Sequence, residues 1–214
     1  MGDYRLLIFD WDGTLVDSIG RIVDSLRYAA ATCDLPQLSD ERLRGIIGLG
    51  MREAIDCLYP GLHATDQFRK AYGEHYLELE RQPSALFPGV LEALHEFRAE
   101  GYLLAVATGK SRRGLNAVLE GRGWLDFFDI TRCADEAASK PDPLMLREIL
   151  AHCRMNPEQA LMVGDSVFDL QMARRAGVHS VAVGHGAQSM DVLKAEVPTL
   201  SIKHFEELQS WLKR

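Results

Sequence analysis

The sequence predicts an α/β fold, a doubly wound parallel sheet with a small α-helical domain inserted into it. Three observations carry this reading. Short apolar runs at Arg5–Phe9, Leu103–Ala107, Ile130–Arg132, Ala160–Val163 and Ser180–Val183 read as strands, with helix-period stretches between them. Three of these runs (LLIF, LLAVA and ALMV) are apolar throughout rather than alternating. Parallel strands take that composition when helices cover both faces of the sheet. The alternation of strand and helix then breaks once, over residues 18–84, where only helical signals occur.

After the first strand, Ile19, Ile22, Val23 and Leu26 fall on one helical face. Ser39, followed by Asp40 and Glu41, caps a second helical stretch: a serine oxygen accepts from a free first-turn N–H, and acids suit the positive end of a helix. A third helix is expected over Thr65–Leu79. So long a connection after a strand is unusual within one domain. The predicted division is therefore residues 1–17 with 85–214 as the α/β core, and residues 18–84 as a helical cap above the carboxyl end of the sheet. Farther along, Leu146, Ile149, Leu150 and Cys153 share one face of a helix over Pro143–Cys153. Asp142 serves as its N-cap and Pro143 stands in its first turn.

Composition narrows the function. A chain of 214 residues, 47% hydrophobic and 26% charged, fills one core with room for a smaller lobe. The formal net charge of −7 argues against nucleic acid or an anionic membrane as the main partner. No apolar run approaches the ~18 residues that span a bilayer. The opening MGDYRLLIFD has no secretory pattern, and Leu6 stands where myristoylation wants Ser or Thr. Cys33, Cys57, Cys133 and Cys153 form no CxxC pair, which argues against zinc or redox chemistry and for buried small apolar side chains. The expected setting is reducing and cytoplasmic.

The chemistry is expected where strands end, because open α/β sheets bind ligands beyond the carboxyl ends of their strands. Asp10-Trp11-Asp12-Gly13-Thr14-Leu15 follows the first strand directly. Two acids so placed crowd negative charge unless a cation joins them, and Mg²⁺ is the hard ion that carboxylates and carbonyls suit. Gly13 permits a tight turn that aims backbone N–H groups at an anion. On its own the pattern also fits a turn with an Asx cap. A second acidic pair, Asp165 and Asp169 in GDSVFD, follows the run Ala160–Val163, four residues apart at the start of a helix. Both can point at one ion, or they can simply cap the helix and complement its dipole. Thr108 and Gly109 close another strand and offer a hydroxyl and an amide to a phosphate oxygen. Lys140, in the proline-stiffened SKPDP, offers a fixed ammonium. Each alone is commonplace; four successive loops on one sheet edge are not.

The stations DWDGTL, ATGK, SKPDP and GDSVFD, in that order, resemble the four motifs of the haloacid-dehalogenase-like hydrolase superfamily, from Asp10 to Asp169. The helical insertion after the first motif is similar to the cap of the subgroup that holds phosphoglycolate phosphatase, β-phosphoglucomutase and phosphonatase. The resemblance implies a Rossmann-like core and an Mg²⁺-dependent phosphatase acting on a small phosphorylated metabolite. It implies Asp10 as the nucleophile that becomes an aspartyl phosphate, and Asp12 as the acid and then the base. Thr108 and Lys140 would hold the phosphoryl oxygens. Mg²⁺ would be held by Asp10, the Asp12 carbonyl and Asp165, with Asp169 as a ligand or close support. Dehalogenase members lack an acid at the position of Asp12, since a halide leaves without a proton. A phosphomutase and a non-catalytic phosphometabolite-binding module are the alternatives.

The cap stretch Leu43–Met51 resembles the segment that faces the site in phosphoglycolate-phosphatase-like enzymes. Its Gly48 and Gly50 follow no strand, so they are not a dinucleotide fingerprint. Arg44 is the candidate there for a substrate carboxylate or second phosphate, or else a solvated helix arginine. His185, in VGHG, is expected as an ordinary exposed loop histidine, or else as a peripheral contact to the site. Substrate identity and oligomeric state are not legible.

Overall fold

The run LLIF becomes β1 (Leu6–Phe9), and all four of its residues are fully buried. The structure, a computed structural model, describes residues 3–213. Around β1 stand β2 (Leu103–Thr108), β3 (Ile130–Cys133), β4 (Ala160–Gly164), β5 (His179–Val183) and β6 (Leu200–Ile202). All neighbours pair in parallel, in the order β3-β2-β1-β4-β5-β6. This is the α/β architecture the sequence predicts. The sixth strand was not foreseen: three residues at a sheet edge are too few to show a period.

Alternation along the strands explains their continuous apolarity, because successive side chains go to opposite faces. Leu7, Phe9, Leu104, Val106, Leu161 and Val163 join one buried cluster, while Leu6, Ile8, Ala105, Ala107, Ala160 and Met162 join another. The first is covered by helices that include α5 (Val90–Ala99) and, beyond α9 (Met190–Lys194), α10 (Phe205–Leu212); Phe97 and Phe205 both stack on Phe9. The second is covered by α7 (Leu144–Cys153) and α8 (Val167–Ala176). The N-cap residue of α7 is Pro143 rather than Asp142, whose carboxylate accepts from Leu144 N at 2.9 Å from one position earlier.

Four helices follow β1 in succession: α1 (Ile19–Thr32), α2 (Asp40–Gly45), α3 (Met51–Leu58) and α4 (Thr65–Leu79). Ser39 caps α2, accepting from Arg42 N. Gly48, at φ +107°, lies in the turn between α2 and α3, and Gly50 is the N-cap residue of α3. The two chain segments that enter and leave this helical stretch run side by side. Asp17 N donates to Ala85 O at 2.9 Å and Phe87 N to Leu15 O at 3.1 Å. Apolar burial continues from the sheet into the helices through Trp11, Leu15 and Ile19, and Trp11 meets Trp124 and Phe128 edge-on.

The expectation for the cysteines needs correction. Only Cys133 is fully buried, whereas Cys57 is exposed on α3; all four are free thiols. Among the described residues, no helix is long and apolar enough to cross a membrane.

Candidate active site

The strand order reverses direction about β1, since β2 and β3 lie to one side and β4 to β6 to the other. That leaves a crevice at the carboxyl ends of β1 and β4. Phe9 is in register with Val163 and with Val106, so Asp10, Asp165 and Thr108 all emerge at the same rim. Asp10, Thr108, Lys140, Asp165 and Asp169 are all essentially buried there.

Oxygen atoms of Asp10, Asp165 and Asp169 lie within 4.8 Å of one another. The Lys140 ammonium sits among them, 2.7 Å from Asp10 Oδ1 and 2.7 Å from Asp169 Oδ1. Three ionised carboxylates against one ammonium would leave two negative charges in a buried cluster. The titrations reflect it. Burial pushes Asp10 well above the usual carboxylate range, with Asp169 and Asp165 adding to the rise and Lys140 opposing it. Burial and then Asp169 push Asp165 up to about 7. Burial alone would lower Lys140, but Asp10 and Asp169 carry it above the usual lysine range. Asp10 Oδ1 and Asp169 Oδ1 have no well-aligned hydrogen-bond donor although both are buried. Hard oxygen donors with a surplus of two negative charges fit a divalent cation such as Mg²⁺.

The local sequence builds this cluster. Gly13 has φ +77°, and a Cβ there would stand 2.2 Å from Asp165 Oδ2. A Cβ on Gly186 would stand 2.1 Å from the same oxygen. Asp165 is thus clamped between two glycines and oriented by Thr14 Oγ1 (3.0 Å) and Ala187 N (2.6 Å). Asp169 closes a capping box with Ser166 while its other oxygen faces Lys140, so helix capping and charge placement are one arrangement.

Two glycine expectations change. The Gly13 N–H donates to Val16 O at 2.9 Å, so it tightens its own turn rather than facing an anion. At Gly109 a Cβ would meet Leu49 O at 2.5 Å and Gly48 O at 2.7 Å. What comes close there is the backbone of the α2–α3 turn. Thr108 Oγ1 accepts from Lys110 N at 3.2 Å, which leaves its hydroxyl hydrogen free.

Asp12 points away from the acidic cluster. Its Oδ1 accepts from Ser18 Oγ at 2.6 Å and lies 3.1 Å from Lys110 Nζ, and Tyr76 OH approaches it at 3.5 Å. Its side chain is therefore apart from the other three acids, and only its backbone carbonyl remains for a metal. Ser18 is the N-cap residue of α1 yet makes no capping bond, having spent its hydroxyl on Asp12. The Lys110 ammonium also bonds Tyr76 OH at 2.8 Å and lies 4.0 Å from the centre of that ring. Lys110 and Tyr76 received no role in the sequence reading. Lys110 was visible inside ATGK at a strand end, whereas Tyr76 on α4 gave no signal, because its partner is 34 residues away.

A cavity of about 590 Å³ opens above Asp10 and Asp12, between α1, α3 and α4 on one side and α6 (Arg112–Glu120) on the other. Arg44 is not part of its lining: it is exposed in the last turn of α2, where burying Leu43 turns its neighbour outward. His185 is half-buried rather than exposed. Its ring lies 4.0 Å from Phe87, and its nitrogens face Thr14 O at 3.1 Å and Lys203 O at 3.3 Å.

Residues 7–183 match the family described as haloacid dehalogenase-like hydrolase, and the chain belongs to it. A phosphoglycolate phosphatase from Mesorhizobium japonicum is 33% identical over 210 residues, covering 95% of this chain and 92% of that protein. One from Rhodospirillum rubrum is 33% identical over 220 residues, covering 97% and 90%. Among solved structures, one from Bacteroides fragilis assigned to the haloacid dehalogenase-like hydrolases superposes with a TM-score of 0.88 at 26% identity, covering 96% of this chain and 99% of that one.

Proposed function

We propose that this chain, a phosphatase of the haloacid dehalogenase-like family, hydrolyses a small phosphate monoester through an aspartyl phosphate on Asp10. The observation that carries the reading is the separation of two acids two residues apart. Asp10 joins the buried cluster with Lys140, while Asp12 turns to Lys110 and Ser18. One carboxylate is thereby set to meet phosphorus and the other to handle protons.

An oxygen of Asp10 attacks phosphorus as the bond to the ester oxygen breaks. Asp12, through its carboxyl group, gives that oxygen a proton. Asp12 then takes a proton from water, the hydroxide attacks the aspartyl phosphate, and Asp10 is released with inorganic phosphate. Lys140 and the Thr108 hydroxyl hold the phosphoryl oxygens as charge redistributes. Asp10, the Asp12 carbonyl and Asp165 would hold Mg²⁺, with Asp169 supporting through Lys140. The ion would neutralise the surplus charge that otherwise repels a phosphate dianion. Residues 18–84 act as a cap domain, hinged where residues 15–17 pair with residues 85–87. The four free thiols suit a cytoplasmic setting.

The test is phosphate release from a panel of monoesters with and without Mg²⁺, with Asp10→Asn as the blank. Rapid quench followed by mass spectrometry should find one phosphoryl group on the peptide containing Asp10. Release that survives in Asp10→Asn would sink the mechanism, and isomer formation without release would make the protein a mutase.

A further inference from the structure

We propose that the alcohol half of the substrate is an uncharged, largely apolar body, larger than a two-carbon acid. This rests on the phosphatase reading above and specifies what its cavity accepts. The cavity, about 590 Å³, is of the size that encloses a ligand of many heavy atoms. Its charge is confined to the floor and the rim. Between them the walls are Ile22, Leu26, Ile47, Met51, Tyr72 and Leu77.

The cations near the floor are already engaged. Lys140 faces Asp10 and Asp169, and Lys110 faces Asp12. The remaining lining cations, Arg69, Lys70 and Arg113, are exposed. Arg69 and Lys70 are further occupied by Asp66 at 3.8 Å and Glu74 at 3.9 Å on their own helix. A carboxylate one carbon from the ester oxygen would have only Lys110 at that depth, shared with Asp12 and Tyr76, and would otherwise meet apolar walls. Burying a charge without a partner of its own is strongly unfavourable.

A second, independent observation is Gly73. It lies in the interior of the fifteen-residue helix α4 and lines the cavity. Its φ is not positive, and a Cβ built on it would meet nothing within 4 Å. Neither the backbone nor a neighbour requires glycine there, although glycine weakens a helix interior relative to alanine. What its missing side chain provides is open volume above the catalytic floor.

The experiment compares kcat/KM for 2-phenylethyl phosphate, ethyl phosphate and phosphoglycolate, each against the Asp10→Asn blank. The first two share an alkyl leaving group and differ in apolar bulk. We expect 2-phenylethyl phosphate to exceed ethyl phosphate by about tenfold or more, and to exceed phosphoglycolate as well. In Gly73→Leu the phenylethyl-to-ethyl ratio should fall by about tenfold, and in Gly73→Ala by a smaller factor, so a misfolded leucine variant leaves the alanine variant to decide. Phosphoglycolate as the best ester overturns the inference. So does a ratio unmoved in a Gly73 variant with native circular dichroism. No Asp10-dependent release from any of the three esters overturns instead the function proposed above.

Discussion

The floor and the roof of the cavity are built by opposite means. On the floor, Asp10 after β1, Asp165 and Asp169 after β4, and Lys140 after β3 are buried and charged. Asp165 alone is fixed by Thr14, Ala187 and two glycines. The roof, from α1, α3 and α4, is apolar with exposed charges at its edge, and it meets the floor through Tyr76 on Lys110 and Asp12 and through Gly50 N on Ser139 Oγ. A floor so over-determined does the same chemistry whatever rests on it. A roof of packed helices can change its shape one side chain at a time. On the proposed function, chemistry and substrate choice are thus written in different parts of the chain.

Substitutions on the floor should therefore have the largest effects. Asp10→Asn removes the proposed nucleophile, and kcat should fall on the order of 10⁴-fold or more. Asp12→Asn removes the proposed proton carrier and should cost about 10²- to 10⁴-fold. In both, steady-state phosphate release should drop while circular dichroism stays native. An Asp12→Asn enzyme with unchanged kcat would show that the carboxylate facing Lys110 takes no part in proton transfer.

Lys140→Met tests whether the floor holds together by charge. Removing one partner of a buried ionic group costs about 3–5 kcal/mol, and here it leaves Asp10 and Asp169 facing each other. Chemical denaturation without metal should show that loss. Part of it should return on adding Mg²⁺ or on lowering the pH, since either neutralises the carboxylates. A variant as stable as the wild type would mean that the acids there are already protonated.

Proton and metal should compete for the same oxygens. Asp165 titrates at about 7 when folded, against an ordinary value of 3.8. Between those values the folded protein holds a proton that the unfolded chain releases. Metal-free stability therefore falls as pH rises from about 4 toward 7. Mg²⁺ requires the carboxylate, so the rise in Tm on adding Mg²⁺ should be larger above pH 7 than at about pH 5.5. Thermal melts with and without the ion check this; an equal rise at both pH values would place the ion away from Asp165.

The same contrast explains what could be read without coordinates. Strand ends carry acids, a threonine and a lysine at short spacings, so the floor was legible as four loops, and Thr65–Leu79 was read to its termini. The β6 strand was missed because LSI is too short to show a period. The contact of Tyr76 with Lys110 joins elements far apart in the chain, and no local pattern encodes it. Arg44 was a plausible ligand by residue type, but which way a helix faces is decided by packing around Leu43. Gly13 and Gly109 read in the sequence as offering backbone N–H groups to an anion. What approaches them, Asp165 and the α2–α3 turn, is tertiary information.

Lys110→Met and Tyr76→Phe probe a polar bridge between roof and floor. If Lys110 holds Asp12, its loss should lower kcat about tenfold or more with little change in KM. Tyr76→Phe keeps the ring beneath the ammonium and removes only the hydroxyl, so its effect should be a few-fold. A tyrosine variant as impaired as the lysine variant would mean that the roof itself positions Asp12.

The smallest effect should come from the roof alone, and its sign is the informative part. Gly73→Ala adds a methyl group where a Cβ would meet nothing within 4 Å, and should stabilise α4 by about 0.8–1 kcal/mol. For a chain of this size that is a rise in Tm of roughly 2–4 °C, measurable by calorimetry. A stabilised protein that is also slower on bulky esters would mean that helix stability at this position is traded for room. A destabilised one would mean that glycine serves the packing of α4 after all, and that the open volume beside it is incidental.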